Sequence, residues 1–466
     1  MSDAALFPAR AERRRRDDAL TALLAAADRR VAQGPVAPDL DRARFAADLA
    51  AFDFAAPVAW DDLLGWTVAQ LEHGVTHMTH PRYFGLFNPA PNFPAQCADR
   101  IAASFNPQLA SATTSPAAVA IEAHVIRAVA RRAGLPPDAG GHFTAGGSEA
   151  NHTALVCALT RAEPGFAGAG SRAFAGQPAF YISADSHLAW IKLAHVCGIG
   201  RAAARLVPTD GNGRMDPAAL TAALAADRRE GRVPFMLVAT AGTTNAGMID
   251  PLGPCHDIAR AAGLWFHVDA AWGGAAIASA RLGGLLAGIG QADSITIDAH
   301  KWFAATMGCG MFLTAHPALP AEAFNVRTGY MPSHAPAADP YLTSVQWSRR
   351  FLGLRLFLAL GAAGWAGYAA HVERAAALAA LLAERMRALG WSVANDPALA
   401  VVCLEPPAGA PAVRDIVARV LASGGAWVSA AAFAGRDVVR ACITHGETTD
   451  ADIAVLAALL ERAGAG

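Results

Sequence analysis

Only two lysines, Lys192 and Lys301, occur among the 38 lysines and arginines of the chain. Where a positive charge alone is enough, arginine has nearly always been used. A lysine amine can also lose its proton when desolvated and attack a carbonyl carbon, which a guanidinium cannot. Lys301 lies in Asp298-Ala299-His300-Lys301-Trp302, directly after the apolar run Ser294-Ile295-Thr296-Ile297. That is the carboxyl end of a buried strand, where open α/β sheets place their chemistry. A general bias toward arginine would leave a surface lysine just as well, so the neighbouring motifs have to decide.

Four other segments carry reactive or binding groups. Thr144-Ala145-Gly146-Gly147-Ser148-Glu149-Ala150 is a glycine turn running into a helix with apolar positions at 150, 154, 157 and 158. Such a turn presents backbone N–H groups at a positive dipole end and suits a phosphate, or Ser148 simply caps the helix. It is not a Walker A loop, because neither lysine follows a glycine or precedes Ser or Thr, and no G-x-G-x-x-G is present. His267-Val268-Asp269-Ala270-Ala271-Trp272-Gly273-Gly274 ends another apolar run. There Asp269 either reaches a cationic ligand atom or caps the next helix. His187, in Ser183-Ala184-Asp185-Ser186-His187, and the small-residue turn Ala239-Thr240-Ala241-Gly242-Thr243-Thr244 each follow a strand-like run. His73 and His77 are spaced i, i+4, but no acid or third ligand at a suitable spacing accompanies them, so no metal site is expected.

Short apolar runs at residues 179–183, 235–239, 264–268, 294–297 and 310–313 alternate with helical patterns at 148–161, 216–229 and 255–262. This predicts an α/β lobe with a largely parallel sheet, except that the last two strands are too close for a helical crossover. Residues 1–80 read as a helical segment, 81–358 as the large α/β domain and 359–466 as a smaller α+β domain. The last region should hold helices at 371–389, 412–423 and 450–462 with strands at 399–405 and 437–443. Residues 326–340 have no period and are rich in Gly, Pro and small side chains, as active-site lids often are.

A hydrophobic content of 54 % with 17 % charged residues fits a large globular enzyme, and a net charge of −1 provides no field for nucleic acid or an anionic membrane. No signal peptide or membrane-spanning stretch is visible. Seven scattered cysteines without a C-x-x-C pair point to a reducing, cytoplasmic setting.

The motifs fall at the same end of successive predicted strands and together supply an anion cradle, a carboxylate, a flat ring and an amine. Pyridoxal 5'-phosphate needs this set for its phosphate, pyridine nitrogen, ring face and aldehyde. From roughly Gly74 to Asp452 the chain resembles the pyridoxal-phosphate-dependent group II amino-acid decarboxylases, relatives of the aromatic-amino-acid, glutamate and diaminobutyrate enzymes. The resemblance is carried by the segments around Asp269, Lys301 and Gly146, and by Arg440-Ala441-Cys442-Ile443 with Thr448-Thr449-Asp450.

The resemblance implies a fold type I architecture: a large lobe with a mostly parallel seven-stranded sheet, a smaller C-terminal α+β lobe and a helical N-terminal segment. It implies that Lys301 forms the internal aldimine, Asp269 pairs with the pyridine nitrogen and His187 stacks on the ring. Ala145, Gly146, Gly147 and Ser148 would hold the phosphate, with Thr244, Ala271 and His300 close to the cofactor. Tyr330 matches a mobile-loop tyrosine that protonates the intermediate, and the loop's reach into a neighbouring subunit implies a homodimer. His77, Leu86 and Phe87 belong to a segment resembling the substrate entrance. The expected reaction converts an L-amino acid to its amine and CO2, with an aromatic side chain slightly ahead of an acidic or diamino one. Asp298 stands where the aromatic enzymes often have asparagine, which leaves a side-chain contact to the phosphate there in question. Two other readings stay open. One is oxidative decarboxylation-deamination to an aldehyde, which in the family accompanies loss of the loop tyrosine or the stacking histidine. The other is a serine hydrolase with Ser148 as nucleophile and His445 as base.

Overall fold

The computed structural model describes residues 6–326 and 339–465. Seven strands form the larger sheet: β1 (Gly140–Thr144), β2 (Pro178–Ser183), β3 (Ala204–Val207), β4 (Val233–Thr240), β5 (Trp265–Asp269), β6 (Ser294–Asp298) and β7 (Gly310–Thr314), in the order β1-β7-β6-β5-β4-β2-β3. Only β7 runs against its neighbours, pairing antiparallel with both β6 and β1. Every residue of β2, β5, β6 and β7 is buried. That is the pattern of strands covered by helices on both faces, and it explains their near-continuous apolar runs.

Register sets the site. Thr240 pairs with Asp269, Asp269 with Thr296, and Gly310 with both Asp298 and Thr144. The carboxyl ends of β4, β5, β6 and β1 therefore share one edge of the sheet. β7 can enter between β6 and β1 only because it begins on glycine: a Cβ at Gly310 would lie 2.6 Å from Thr144 Oγ1 and 2.7 Å from Asp298 Oδ1.

The strands β1 and β3 had no counterpart in the sequence reading. β1 opens with two glycines, which weaken strand propensity, and β3 is a half-exposed edge strand. The second sheet is antiparallel, in the order β10 (Ser429–Phe433), β11 (Arg436–Cys442), β9 (Val401–Glu405), β8 (Ser392–Val393). It packs with the helices Val413–Ala422 and Asp450–Gly464 around a core of its own. The last helix opens on a reciprocal Thr449–Asp452 capping box.

A long helix, Gly353–Ala388, links the two sheets and breaks at Gly364, whose φ is 62°. The boundary expected at 358/359 falls inside this helix, ahead of the break. Helices Arg10–Gln33, Arg42–Ala50 and Trp60–Gly74 form the N-terminal part. The chain after them returns along the small sheet, where Phe84 N–H donates to Trp427 O and Cys442 N–H donates to Phe84 O. That docking carries Phe87, in the chain that follows the N-terminal helices, to the large lobe.

Candidate active site

A cavity of about 450 Å³ opens at the shared strand edge. Its wall includes Lys301, Asp269, His187, Thr244, Ala271 and His300, together with the loop Ala145-Gly146-Gly147-Ser148. The structure thus brings together all the residues expected near a cofactor, although they are drawn from five separate stretches of chain. Tyr330 lies outside the described residues.

The loop feeds the 16-residue helix Gly147–Ala162, whose N-cap is Gly146 without a side-chain cap. Ser148 is therefore one residue inside the helix rather than capping it. Ala145 N–H donates to Glu149 Oε2, while the amides of Gly146, Gly147 and Ser148 have no acceptor among the described residues. Three free N–H groups at a helix start make an anion cradle. A Cβ on Gly147 would come within 2.8 Å of Asp298 Oδ2, so this loop position closes tightly over the β6 terminus.

Lys301 Nζ lies 3.0 Å from Asp298 Oδ2, and the Lys301 side chain is 22 % exposed. Lys192, in contrast, is solvent-exposed on the helix Ala189–Val196. His300 turns its Nδ1 toward the backbone of Cys309 and its Nε2 toward Asp298, at 3.8 Å. Asp298 Oδ1 is buried and has no partner.

Asp269 is 5 % exposed. Its Oδ2 accepts from Asn151 Nδ2 at 2.8 Å and Trp190 Nε1 at 3.2 Å, and its Oδ1 accepts from Ala271 N–H at 3.2 Å. The backbone contact is local and does not cap a regular α-helix, because a 3-10 turn, Gly273–Ala278, follows. His187 stands at the exposed mouth, with Nδ1 accepting from Ala189 N–H at 3.2 Å. Phe87 packs obliquely on Trp272, with ring centroids 4.6 Å apart, and the Arg440 guanidinium lies over the Phe87 ring at 4.7 Å. Arg440 donates from Nε to Thr244 O, and its buried Nη2 has no partner.

Of the three expected substrate contacts, Phe87 lines the cavity and the other two do not. His77 is buried with Nε2 bonded to Glu72 O, and burial lowers its pKa. Leu86 points outward at 48 % exposure, because Leu86 N–H is tied to the Tyr83 hydroxyl. The sequence reading left several lining residues without a role: Glu149, Asn151, Thr240, Trp272 and Asp298. Each stood inside or beside a quoted motif, so position along the chain was the available signal.

Residues 49–405 match the family model of the pyridoxal-dependent decarboxylase conserved domain. The chain belongs to the pyridoxal-phosphate-dependent amino-acid decarboxylases. It is 34 % identical over 336 residues to the L-2,4-diaminobutyrate decarboxylase of Rhizobium meliloti, a match spanning 71 % of this chain and 66 % of that protein. The tyrosine decarboxylase of Oryza sativa is 31 % identical over 401 residues, 79 % of this chain and 75 % of the relative. Among solved structures, Oryza sativa TDC with PLP and tryptamine superposes with a TM-score of 0.93 at 25 % identity, covering 99 % of each chain.

For a decarboxylase of this family the cofactor is pyridoxal 5'-phosphate, and the donor set fits it. Free amides suit a phosphate, an acceptor-only carboxylate suits a ring N–H, and an amine suited to an aldehyde lines the same cavity. The hydrolase alternative has no such support. His445 bonds through Nε2 to Thr79 O and through Nδ1 to Glu447 N–H, and it does not line the cavity with Ser148. No helix among the described residues is long and apolar enough to cross a membrane.

Proposed function

We propose that this decarboxylase converts an L-amino acid to its amine and CO2, with Lys301 and Asp269 working from the two ends of one cavity. The observation that carries the reading is that both side chains face the same 450 Å³ space beside a cradle of free amides. When bound, the cofactor supplies an aldehyde carbon and an electron-accepting ring.

Lys301 is the nucleophile of the site, and Asp298 Oδ2, 3.0 Å away, orients its amine. Asp269 would accept a hydrogen bond from the cofactor's ring nitrogen. Ser148 and the amides of Gly146 and Gly147 would hold the phosphate, while the His187 ring would cover the cofactor and exclude water. Thr244, Ala271 and His300 complete the wall. Tyr330 would supply the proton to the α-carbon, which would direct the outcome to an amine. At the substrate end, the Phe87 and Trp272 rings favour an aromatic side chain over an acidic or diamino one, and Arg440 Nη2 is available to a carboxylate.

A homodimer is part of the proposal. Phe54, Phe93 and Phe105 of the N-terminal region are 89 %, 74 % and 82 % exposed, the kind of apolar surface that a partner covers.

The test is a visible spectrum of the purified protein during titration with L-tyrosine, L-glutamate and L-2,4-diaminobutyrate, with products quantified. Amine and CO2 in equal amounts are expected. Aldehyde and peroxide as the main products would overturn the reading. Tyr330→Phe should keep the cofactor spectrum and lose amine formation; unchanged amine output would remove Tyr330 as the proton donor.

A further inference from the structure

From Asp269 and the cavity-lining Asn151 a line of buried polar side chains in contact with one another runs into the core. Trp265 Nε1 lies 2.9 Å from Ser294 Oγ, Ser294 Oγ lies 2.7 Å from His267 Nδ1, and His267 Nε2 lies 3.2 Å from Asn151 Oδ1. Asn151 Nδ2 then donates to Asp269 Oδ2 at 2.8 Å. His267 and Ser294 are fully buried, Asn151 is 3 % exposed, and the His267 ring stands edge-on to Trp190 with centroids 5.5 Å apart.

Hydrogen-bond chemistry leaves one arrangement of protons. A carboxylate only accepts, so Asn151 must turn its NH2 to Asp269 and its carbonyl oxygen to His267. His267 must then carry its hydrogen on Nε2. Burial lowers the His267 pKa to about 4, so near neutral pH the ring is uncharged and Nδ1 is an acceptor. The indole of Trp265 only donates, so Ser294 accepts from it and gives its own hydrogen to His267 Nδ1. Four successive donors point the same way and end on Asp269. In a low-dielectric interior, aligned hydrogen bonds of this kind polarise one another.

We infer that His267 and Asn151 are positioning residues that orient Asp269 and strengthen its hold on a ring nitrogen through this one-way chain. The inference rests on the cofactor reading above. Its effect should be confined to ligands that own such a nitrogen, whereas a merely structural role would weaken every ligand alike.

The test uses the full-length protein freed of cofactor and two probes: pyridoxal 5'-phosphate, and its 1-deaza analogue with carbon in place of the ring nitrogen. His267→Phe and Asn151→Ala should each weaken pyridoxal 5'-phosphate by ~10-fold, the size expected for a lost hydrogen bond to a charged group, and leave the deaza analogue unchanged. His267→Gln restores a donor toward Asn151 and should bring the affinity back to within about threefold of the unaltered protein. Equal losses for both probes, or no loss for either, would overturn the inference. A separate measurement needs neither variant folding nor cofactor: ¹⁵N NMR of histidine-labelled protein should show His267 with its hydrogen on Nε2, and a hydrogen on Nδ1 would break the chain. Should the unaltered protein fail to bind pyridoxal 5'-phosphate in a Lys301-dependent way, the cofactor reading itself falls, while the NMR result still decides the chain.

Discussion

At the Asp269 end of the cavity, each carboxylate oxygen meets an N–H donor, and the residues behind it are buried and bonded to one another. At the Lys301 end the opposite holds. Among the described residues, Asp298 Oδ1 and Glu149 Oε1 are buried without partners and three loop amides are free, while Lys301 is held by its ion pair with Asp298. A site that must hold one atom still benefits from a satisfied network. A site whose amine must exchange partners during turnover cannot be tied down in the same way, because each fixed hydrogen bond would have to break. The difference separates an anchor from a working end.

The largest effect should come from removing the working group. Lys301→Ala is expected to cut amine formation by ~10³-fold or more and to abolish the visible band that depends on the lysine, with noncovalent cofactor binding surviving. An unchanged band would show that another amine had taken its place, and the comparison of the two ends would fail.

Next in size is Asp298→Asn. The carboxylate lies against the anion cradle, so losing its charge removes a repulsion of about 1 kcal/mol and should tighten pyridoxal 5'-phosphate about fivefold by titration calorimetry. Weaker binding would instead show that Asp298 acts mainly by organising Lys301, making this end more like an anchor than the geometry implies.

The smallest effect concerns stability. Burial lowers both His267 and His80 to about 4. Below roughly pH 6.5 the unfolded chain takes up protons at these positions that the native protein refuses. Their contribution is therefore intact above that pH and is lost progressively as pH falls toward 4. The urea midpoint should be lower at pH 5 than at pH 7, and His267→Gln should flatten part of that slope.

Much of the catalytic wall was legible along the chain because each motif sits just past a strand, and strand ends are marked by a switch from apolar runs to small or charged residues. Asp269, Lys301, His187 and the Gly146-Gly147 turn all carry that mark. Contacts made by side chains at a distance carry none. Asn151 reads as one polar residue on an apolar helix face, and nothing nearby announces that it meets His267, 116 positions later. Arg440 is similar: it was quoted as part of a motif, but its place over Phe87 depends on the N-terminal segment docking beside β11. His77 and Leu86 stand off the cavity wall for the same reason, because local hydrogen bonds tie one to the preceding helix and leave the other facing solvent.

The sequence by itself determined the alternation of strands and helices, the family and the chemical inventory of the cavity, because periodicity and residue type are local properties that survive without a partner. Tertiary structure alone decided that β7 runs backward between β6 and β1, that Gly310 is the residue which lets it, and that Asp269 is held from behind by a chain reaching back to Trp265. Those outcomes depend on which strands pair and in what register, and pairing is set by long-range burial of whole faces rather than by any residue's own preference.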